Sequence, residues 1–338
     1  MILFAVVTIM SAGGIYFLIS GRAATQSISL EPESGTISSG AVTISDTNAS
    51  QDEAIKFQQK VVTEPDPTPG PGVKLRWKPP VLTNPTTITI GADGTGKSRL
   101  AALEAGKDYI IKLPTNAPVR TNSGLRITGG RNIVMIGGEI RFDKIYGGSY
   151  ENQRALWVDK WSGTLHIEGI YMSGADLKEG VNIDSRIPGS VLQAQNLLFD
   201  NVTNYSGHHA DCMQNWGGPG QYRIDGLTCS TSYQGFMIQP HEGGKTTYGM
   251  DTEVADWRRI NVRGAGTYKF FMGGASIPST KKVILNDVWH SNRANGAPCN
   301  CYPHTYAPWQ AIKVGTPPGG DFVTKLTAGY AYRSPGYQ

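Results

Sequence analysis

The chain has 338 residues, of which 42 are glycine and only 17% are charged. Glycine is far above its usual share of about 7%, and there is no long helical pattern, so an all-β protein with many tight turns is expected. The formal net charge of +4 is too small for a nucleic-acid-binding surface, so nucleic acid is not expected as a partner.

Residues 1–20 are apolar throughout and long enough to span a bilayer. No Lys or Arg opens the segment, and Arg22 makes the following residues a poor cleavage site. We therefore predict that residues 1–22 form a signal peptide or signal-anchor, which gives contact with the membrane. The rest of the protein is expected to be extracellular, either secreted or anchored to the cell surface.

The chain contains four cysteines, which are Cys212, Cys229, Cys299 and Cys301. This number suits one or two disulfides in an exported protein, with the pairing left open. Zinc is a weaker alternative, because no second paired motif accompanies Cys299 and Cys301.

Two short regions precede the main domain. In the first, 23–60, residues 27–58 alternate apolar and polar side chains as short strands do, and Glu31 and Glu33 stand before a Ser-Gly-Thr turn. This resembles the opening of β-sandwich carbohydrate-binding modules, which implies sugar binding. About thirty residues are too few to close a sandwich, so a spacer role is favoured. The second region, 61–82, is rich in proline and is predicted to be an extended linker.

The stretch Gly91–Ser98 satisfies the phosphate-loop pattern G-x-x-x-x-G-K-[ST]. A phosphate loop leads into a long helix, but here only about two helical turns fit before Gly106. No later alternation of strands and helices follows. We predict a turn here and no nucleotide cofactor.

From about residue 108 onward, short phrases recur along the chain. The aliphatic residues taken as equivalent are Ile136, Ile167, Ala194, Ile224, Ile260 and Leu285, at spacings of 25 to 36 residues. A second set of phrases lies between them, at 154–161, 180–187, 210–216, 235–241, 268–274 and 309–315. Irregular periods of this size, built from strands and polar turns, indicate the stacked coils of a parallel β-solenoid.

The paired phrases, together with Gly-His-His-Ala-Asp-Cys-Met-Gln at 207–214, resemble the pectate-lyase-like β-helix superfamily over residues about 85–325. Cys212 departs from the glycine often found in that phrase. The resemblance implies that 83–338 form a single-stranded right-handed parallel β-helix. We expect a monomer with a polysaccharide as substrate or ligand.

The alternation of side chains along a strand then predicts which residues face outward. The inward line is taken as Val158, Ile183, Met213, Ile238, Phe271 and Ile312. Their neighbours are predicted to face solvent, and these are Asp159, Asp184, Gln214, Gln239, Met272 and Lys313. Further along the same face are Trp161, Arg186, Trp216 and His241. His208 and Cys212 are also predicted outward, and His209 and Asp211 the other way. Because equivalent residues of stacked coils are about 4.8 Å apart, the outward set is predicted to form one polar and aromatic strip.

Such a strip suits a polysaccharide, because indoles cover sugar rings, carboxamides bond hydroxyls and cations pair with uronate carboxylates. The leading hypothesis is a lyase that cleaves an acidic glycan by β-elimination, with His208 or His241 as base. Arg186, Lys313 or Ca²⁺ held by Asp159 and Asp184 would neutralise the uronate. The strip's remaining members would bind substrate, namely Asp184, Gln214, Trp216, Gln239 and Trp161.

Two alternatives stay open. A glycoside hydrolase needs two carboxyl groups beside one bond, and Asp184 with Asp211 is the pair considered, although they are predicted to face opposite ways. A non-catalytic glycan-binding protein or adhesin at the cell surface is the other. The sequence leans towards an enzyme.

Overall fold

In the computed structural model, the described residues are 41–45, 53–57, 70–92, 102–120, 124–143, 154–203, 209–238, 252–265, 268–272, 282–291 and 301–338. The chain divides into two compact units, Met1–Pro67 and Thr68–Gln338. In the first unit, β1 (Ala41–Ser45) pairs with β2 (Glu53–Phe57) in antiparallel fashion. Residues 1–22, Glu31, Glu33 and most of the phosphate-loop-like stretch lie outside the described residues. Among those described, no helix is long and apolar enough to cross a membrane.

The second unit is a parallel β-solenoid with almost no helix. Six strands form one of its sheets, which are β6 (Leu125–Thr128), β9 (Arg154–Asp159), β12 (Glu179–Asp184), β14 (Met213–Gly217), β16 (Phe236–Ile238) and β18 (Phe270–Met272). They neighbour one another in chain order, and each pair is parallel. Each of these coils adds one strand to this sheet, as the phrases from 154–161 to 268–274 predicted. The phrase at 309–315 was also expected here, but its strand joins the larger sheet. Phe271 was predicted to face inward, and that is wrong, because Phe270 takes the core position.

The larger sheet contains twelve strands. Its first seven are β3 (Thr86–Thr89), β4 (Tyr109–Lys112), β5 (Val119–Arg120), β7 (Ile133–Ile136), β8 (Glu139–Phe142), β10 (Thr164–Glu168) and β11 (Tyr171–Gly174). The others are β13 (Val191–Val202), β15 (Gln221–Thr231), β17 (Val254–Arg263), β19 (Lys282–His290) and β20 (Lys313–Val314). One 3₁₀ helix, Ala307–Ala311, precedes β20. In the early coils two short strands occupy the length that one long strand fills later, because β13 pairs with both β10 and β11.

The core lies between the two sheets and is built from stacked aliphatic and aromatic side chains. Ile167, Ala194, Ile224 and Leu285 are equivalent in register, as predicted. Two predicted equivalences are wrong. Met135 takes the place assigned to Ile136, and Trp257 the place assigned to Ile260. Met135 lies between Val134 and Ile136, so a slip of one residue was invisible to the pattern, and Trp257 and Ile260 are both apolar positions of one strand, three residues apart.

A disulfide joins Cys212 to Cys229, and both residues are fully buried. It links the start of β14 in one sheet to β15 in the other, within the core. Cys212 was predicted to face outward, and that orientation is wrong.

The two terminal segments of this unit cross the outer face of the larger sheet. The hydroxyls of Tyr332 and Tyr337 each donate to the buried carboxylate of Glu168, both at 2.7 Å. Glu168 also lies 2.9 Å from the ring of His166. Residues 70–77, which belong to the predicted linker, pack here as well. Leu75 is fully buried, and its carbonyl accepts the amide of Gln338.

Candidate active site

The outer face of the six-stranded sheet carries two parallel rows of side chains. The first row follows the pairing of the strands directly and contains Arg126, Trp157, Asn182, Gln214, Met237 and Phe271. Equivalent positions on neighbouring strands are about 4.8 Å apart, so the row runs along the solenoid axis.

The second row contains Arg154, Glu179, Asp211 and Gln234. It faces outward because of a β-bulge. The amides of Cys212 and Met213 both donate to the carbonyl of Gly235, at 2.8 and 3.0 Å, and both residues are buried in the core. Two consecutive inward residues reverse the alternation, so that Asp211 and Gln214 share the outer face.

The residue at the position of Cys212 is small in four successive coils, and the next coil has Lys269 there. At Gly180 a Cβ atom would lie 2.3 Å from the ring of Phe199 and 2.4 Å from the carbonyl oxygen of Cys212. The equivalent positions hold Ala155, Cys212 and Gly235. These small residues keep the outer row in line from one coil to the next.

Glu179 is the centre of a buried polar cluster. Its Oε2 accepts hydrogen bonds from Arg154 Nε at 2.6 Å and from Asn182 Nδ2 at 2.9 Å. Asn182 Nδ2 also donates to Gln214 Oε1. Glu179, Asn182 and Asp211 are fully buried, and the side chain of Arg154 is 7% exposed. The guanidinium of Arg154 therefore contacts Glu179, and its positive charge also acts on Asp211, in a site that is almost closed to solvent.

Burial raises the pKa of both carboxyls. Burial, reinforced by the negative charge of Asp211, raises the pKa of Glu179 well above its ordinary value, while the hydrogen bond from Asn182 opposes the rise. Burial also raises the pKa of Asp211, to about 8, against the opposing charge of Arg154. Both carboxyls therefore favour the protonated form more than an exposed carboxyl does. Arg154 contacts Glu179 directly, and this contact favours the ionised form of that carboxyl.

Several polar atoms at this face are buried without a hydrogen-bond partner in the described part of the chain. Among them are Asp211 Oδ1, Gln234 Oε1 and Trp157 Nε1. Buried polar atoms are nearly always satisfied, so an unsatisfied group marks a position where a ligand or water belongs. Trp157 itself contacts two guanidiniums, with Arg126 Cζ 3.9 Å and Arg154 Cζ 4.6 Å from its ring centroid.

Several residues predicted from the sequence lie elsewhere or outside the description. His208, Gln239 and His241 are outside the described residues, and so is the side chain of Met272. Trp161 was predicted outward but is fully buried, with Nε1 donating to the carbonyl of Val191 at 3.1 Å. The reason is Lys160, whose left-handed φ of 60° breaks the alternation after β9 and turns the indole inward.

The predicted strip of Asp184, Gln214 and Lys313 does not form. Gln214 is level with Asn182, two residues before Asp184, and Trp216 is half-buried at a register shift before Gly217. Lys313 lies in the larger sheet, where its Nζ is 3.0 Å from Asp287.

Asp184 and Asp159 are neighbours in register, as predicted. Each pairs with an arginine. Arg186 donates to both carboxylate oxygens of Asp184, at 2.8 and 3.0 Å, and Arg126 Nη2 lies 3.2 Å from Asp159. Within the described ranges, no group of three or more His, Cys, Asp or Glu side chains is arranged to hold a metal ion.

Sequence reasoning missed Arg154, Glu179 and Asn182 and assigned Asp211 to the wrong face. A signal for them exists in the repeated phrases, which open with a polar residue, then a small one, then a buried apolar one. The four openings are Arg154-Ala-Leu, Glu179-Gly-Val, Asp211-Cys-Met and Gln234-Gly-Phe. Aligning the phrases on their small residues would have placed the two carboxyls side by side.

No protein-family model, curated protein or solved structure matches this chain. The solenoid fold and the residues of the site are therefore what bears on its function.

Proposed function

We propose that this protein hydrolyses glycosidic bonds of a polysaccharide on the outer face of its six-stranded sheet, with Glu179 and Asp211 as the catalytic pair. The observation that carries this proposal is the position of two buried carboxyl groups on adjacent strands, both with raised pKa values and with the cation of Arg154 beside them. Glycoside hydrolysis requires two such groups, one protonated and one ionised, flanking the bond that breaks.

The environment of each carboxyl suits a different role. Asp211, with a pKa near 8, remains protonated at neutral pH and can give its proton to the leaving oxygen. Glu179, ion-paired with Arg154, is the anion that attacks or stabilises the sugar carbon. Neighbouring strands are about 4.8 Å apart. This spacing suits the roughly 5–5.5 Å carboxyl separation of enzymes that retain the anomeric configuration.

The surrounding side chains supply the polar and aromatic groups that sugars require. Trp157 offers an indole, and within the described part of the chain its N–H and the carboxamide oxygen of Gln234 have no hydrogen-bond partner, so both are suited to bind sugar hydroxyls. Both carboxyls are closed to solvent in this structure, so a substrate reaches them only when the site opens. Once the substrate is bound, its glycosidic bond lies in a water-poor cluster, where the charges of Glu179 and Arg154 act more strongly than they would in water.

The test is an activity assay with matched variants. The full chain is incubated with polygalacturonate, alginate, xylan and mixed-linkage β-glucan, and new reducing ends are measured together with ultraviolet absorbance. Hydrolysis produces reducing ends without absorbance, and Asp211→Asn or Glu179→Gln should lower the rate at least about a hundredfold. Asp256→Asn, which disrupts an Arg–Asp pair on the other sheet, should keep the rate. Full activity in Asp211→Asn would refute the proposal.

A lyase remains the second candidate, because the site is positively charged on one side. The side chain of Arg126 is 38% exposed beside Trp157, and Arg154 contacts the same ring. These guanidiniums could neutralise a uronate while a carboxylate removes the C5 proton. Reducing ends that appear together with ultraviolet absorbance would select this reaction.

We also propose that the protein acts outside the cell, secreted or held by its N-terminal segment. The Cys212–Cys229 disulfide supports this location, because disulfides persist in oxidising compartments.

A further inference from the structure

A cluster of aromatic side chains lies on the outer face of the solenoid at the last coils of the six-stranded sheet. Phe271 and Tyr302 stack with ring centroids 5.1 Å apart and an interplanar angle of 15°. Tyr268 lies 5.9 Å from both rings, and His304 is 6.5 Å from Tyr302. Tyr302 is 42% exposed. We call Tyr268, Phe271 and Tyr302 the aromatic platform.

The platform is not part of the hydrophobic core. The core aromatic residues of these coils are Phe270 and Trp309, which point inward and pack 6.0 Å apart. Phe271 and Tyr302 lie on the opposite side of the same backbone and do not belong to the core cluster. Tyr302 is exposed and Phe271 is half-buried, so the fold does not need them as buried apolar groups.

The platform continues both rows of the candidate active site. Phe271 follows Gln214 and Met237 in the first row. Counting back from the pairing of Phe236 with Phe270 aligns Tyr268 with Gln234, which places Tyr268 in the second row. Tyr302 forms a bridge to Phe271 and extends the first row by one further step. Three strand spacings separate the coil of Asp211 from Tyr302, which is about 14 Å.

The backbone of Tyr268 is held in an uncommon conformation. Its φ is 51°, in the left-handed region that bulky residues rarely adopt. Such strain costs on the order of 1 kcal/mol or more and is found preferentially at functional positions. Here it coincides with the turn that brings the Tyr268 ring beside Phe271 and Tyr302.

We propose that the aromatic platform binds a sugar ring of the same polysaccharide chain that is cleaved at Glu179 and Asp211. This inference rests on the proposed function and adds that the substrate is a polymer lying along the solenoid axis. Aromatic rings with polar tips match a sugar, since the ring covers the apolar sugar face and the hydroxyl meets its polar edge. Because the platform and the catalytic pair lie on the same two rows of side chains, one polysaccharide molecule lying along these rows can contact both.

The experiment measures the retardation of the full chain in native gels that contain polygalacturonate, alginate, xylan or mixed-linkage β-glucan. Tyr302→Ala should weaken binding about threefold to tenfold, the range expected for the loss of one aromatic stacking contact. Tyr302→Trp should restore it. Tyr330→Ala is the matched control, because Tyr330 is 39% exposed on the C-terminal segment, and it should bind like the unaltered protein.

Chain length provides a second measurement. With the polysaccharide that binds, the ratio kcat/KM of Tyr302→Ala should fall for the hexasaccharide and stay unchanged for the disaccharide, which is too short to bridge the two places. Equal effects on both lengths, or none on either, would overturn the inference. The absence of retardation by all four polysaccharides would overturn it too.

The outcomes separate the platform from the catalytic pair. Normal retardation of Tyr302→Ala, combined with an inactive Asp211→Asn, rejects the platform and leaves the hydrolase. Lost retardation of Tyr302→Ala, combined with full activity of Asp211→Asn, rejects the catalytic pair and leaves a glycan-binding platform. Self-association that is abolished by Tyr302→Ala in sedimentation, without glycan binding, would assign the platform to a second copy of the chain and refute the proposal.

Discussion

Arg154 Nε lies 2.6 Å from Glu179 Oε2, and both side chains are almost completely shielded from solvent. The two residues are equivalent in register on β9 and β12, so the ion pair connects successive coils. A buried ion pair contributes little compared with apolar packing, but the loss of one partner leaves an uncompensated charge. Substitution of either residue is therefore expected to change both the stability of the fold and the proposed catalytic activity.

Arg154→Gln should destabilise the protein by about 3–5 kcal/mol at neutral pH, because Glu179 then lacks its cation. Adding Glu179→Gln should recover much of that loss, since no buried charge remains. Urea denaturation of both single variants and the double variant measures the coupling. The comparison is Lys107→Ala, which removes an exposed ion pair of the same 2.6 Å length and should leave the midpoint unchanged. Additive effects of the two buried substitutions would contradict the expected coupling.

Asp211 should make the stability depend on pH in an unusual direction. Its pKa rises from an ordinary 3.8 to about 8 in the folded protein, so the folded state binds more protons between these values. The contribution of protonated Asp211 to the free energy of unfolding is fully present below pH 4 and is lost as the pH rises through 8. The slope is at most about 1.4 kcal/mol per pH unit. Asp211→Asn should therefore gain stability relative to the unaltered protein as the pH rises. The stability of both proteins is measured by thermal melting from pH 4 to 8. A constant difference in stability across this range would contradict the prediction, because it would mean that Asp211 is ionised throughout.

The Cys212–Cys229 disulfide closes a short loop, with a sequence separation of 17 residues. A constraint of this length on the unfolded chain is worth about 3 kcal/mol. The double substitution Cys212→Ala and Cys229→Ala should lower the free energy of unfolding by about that amount while the far-ultraviolet spectrum is retained. An unchanged denaturation midpoint would mean that the bridge does not constrain the unfolded chain.

Glu168 holds the C-terminal segment against the larger sheet through Tyr332 and Tyr337. Hydrogen bonds to a buried carboxylate are worth about 1.5–3 kcal/mol each. Tyr337→Phe should release the segment locally, so that trypsin cuts at Lys325 or Arg333 several times faster. Tyr330→Phe is the comparison, because that side chain is exposed. Equal rates of proteolysis would indicate that apolar packing alone holds the segment.

The amino-acid sequence by itself determined the architecture. Repeated apolar positions at intervals of one coil admit few arrangements other than stacked parallel strands, and the phrases at 154–161 and 180–187 did become neighbouring strands. The inward direction of Val158 and Ile183 follows from the same alternation. The polar character of the outer face was also evident from the sequence.

The tertiary structure decided which polar residues meet. A bulge at Cys212 and Met213 moves Asp211 to the outer face, and the left-handed backbone at Lys160 turns Trp161 into the core. Each is a change of a single residue in register, and a single residue reverses the direction of every side chain that follows. Such shifts are set by close packing between coils, as at Gly180 against Phe199. That contact joins residues distant in sequence, so the alternation of side chains within one strand could not place Glu179 beside Asp211, and only an alignment of the coils on their small residues could.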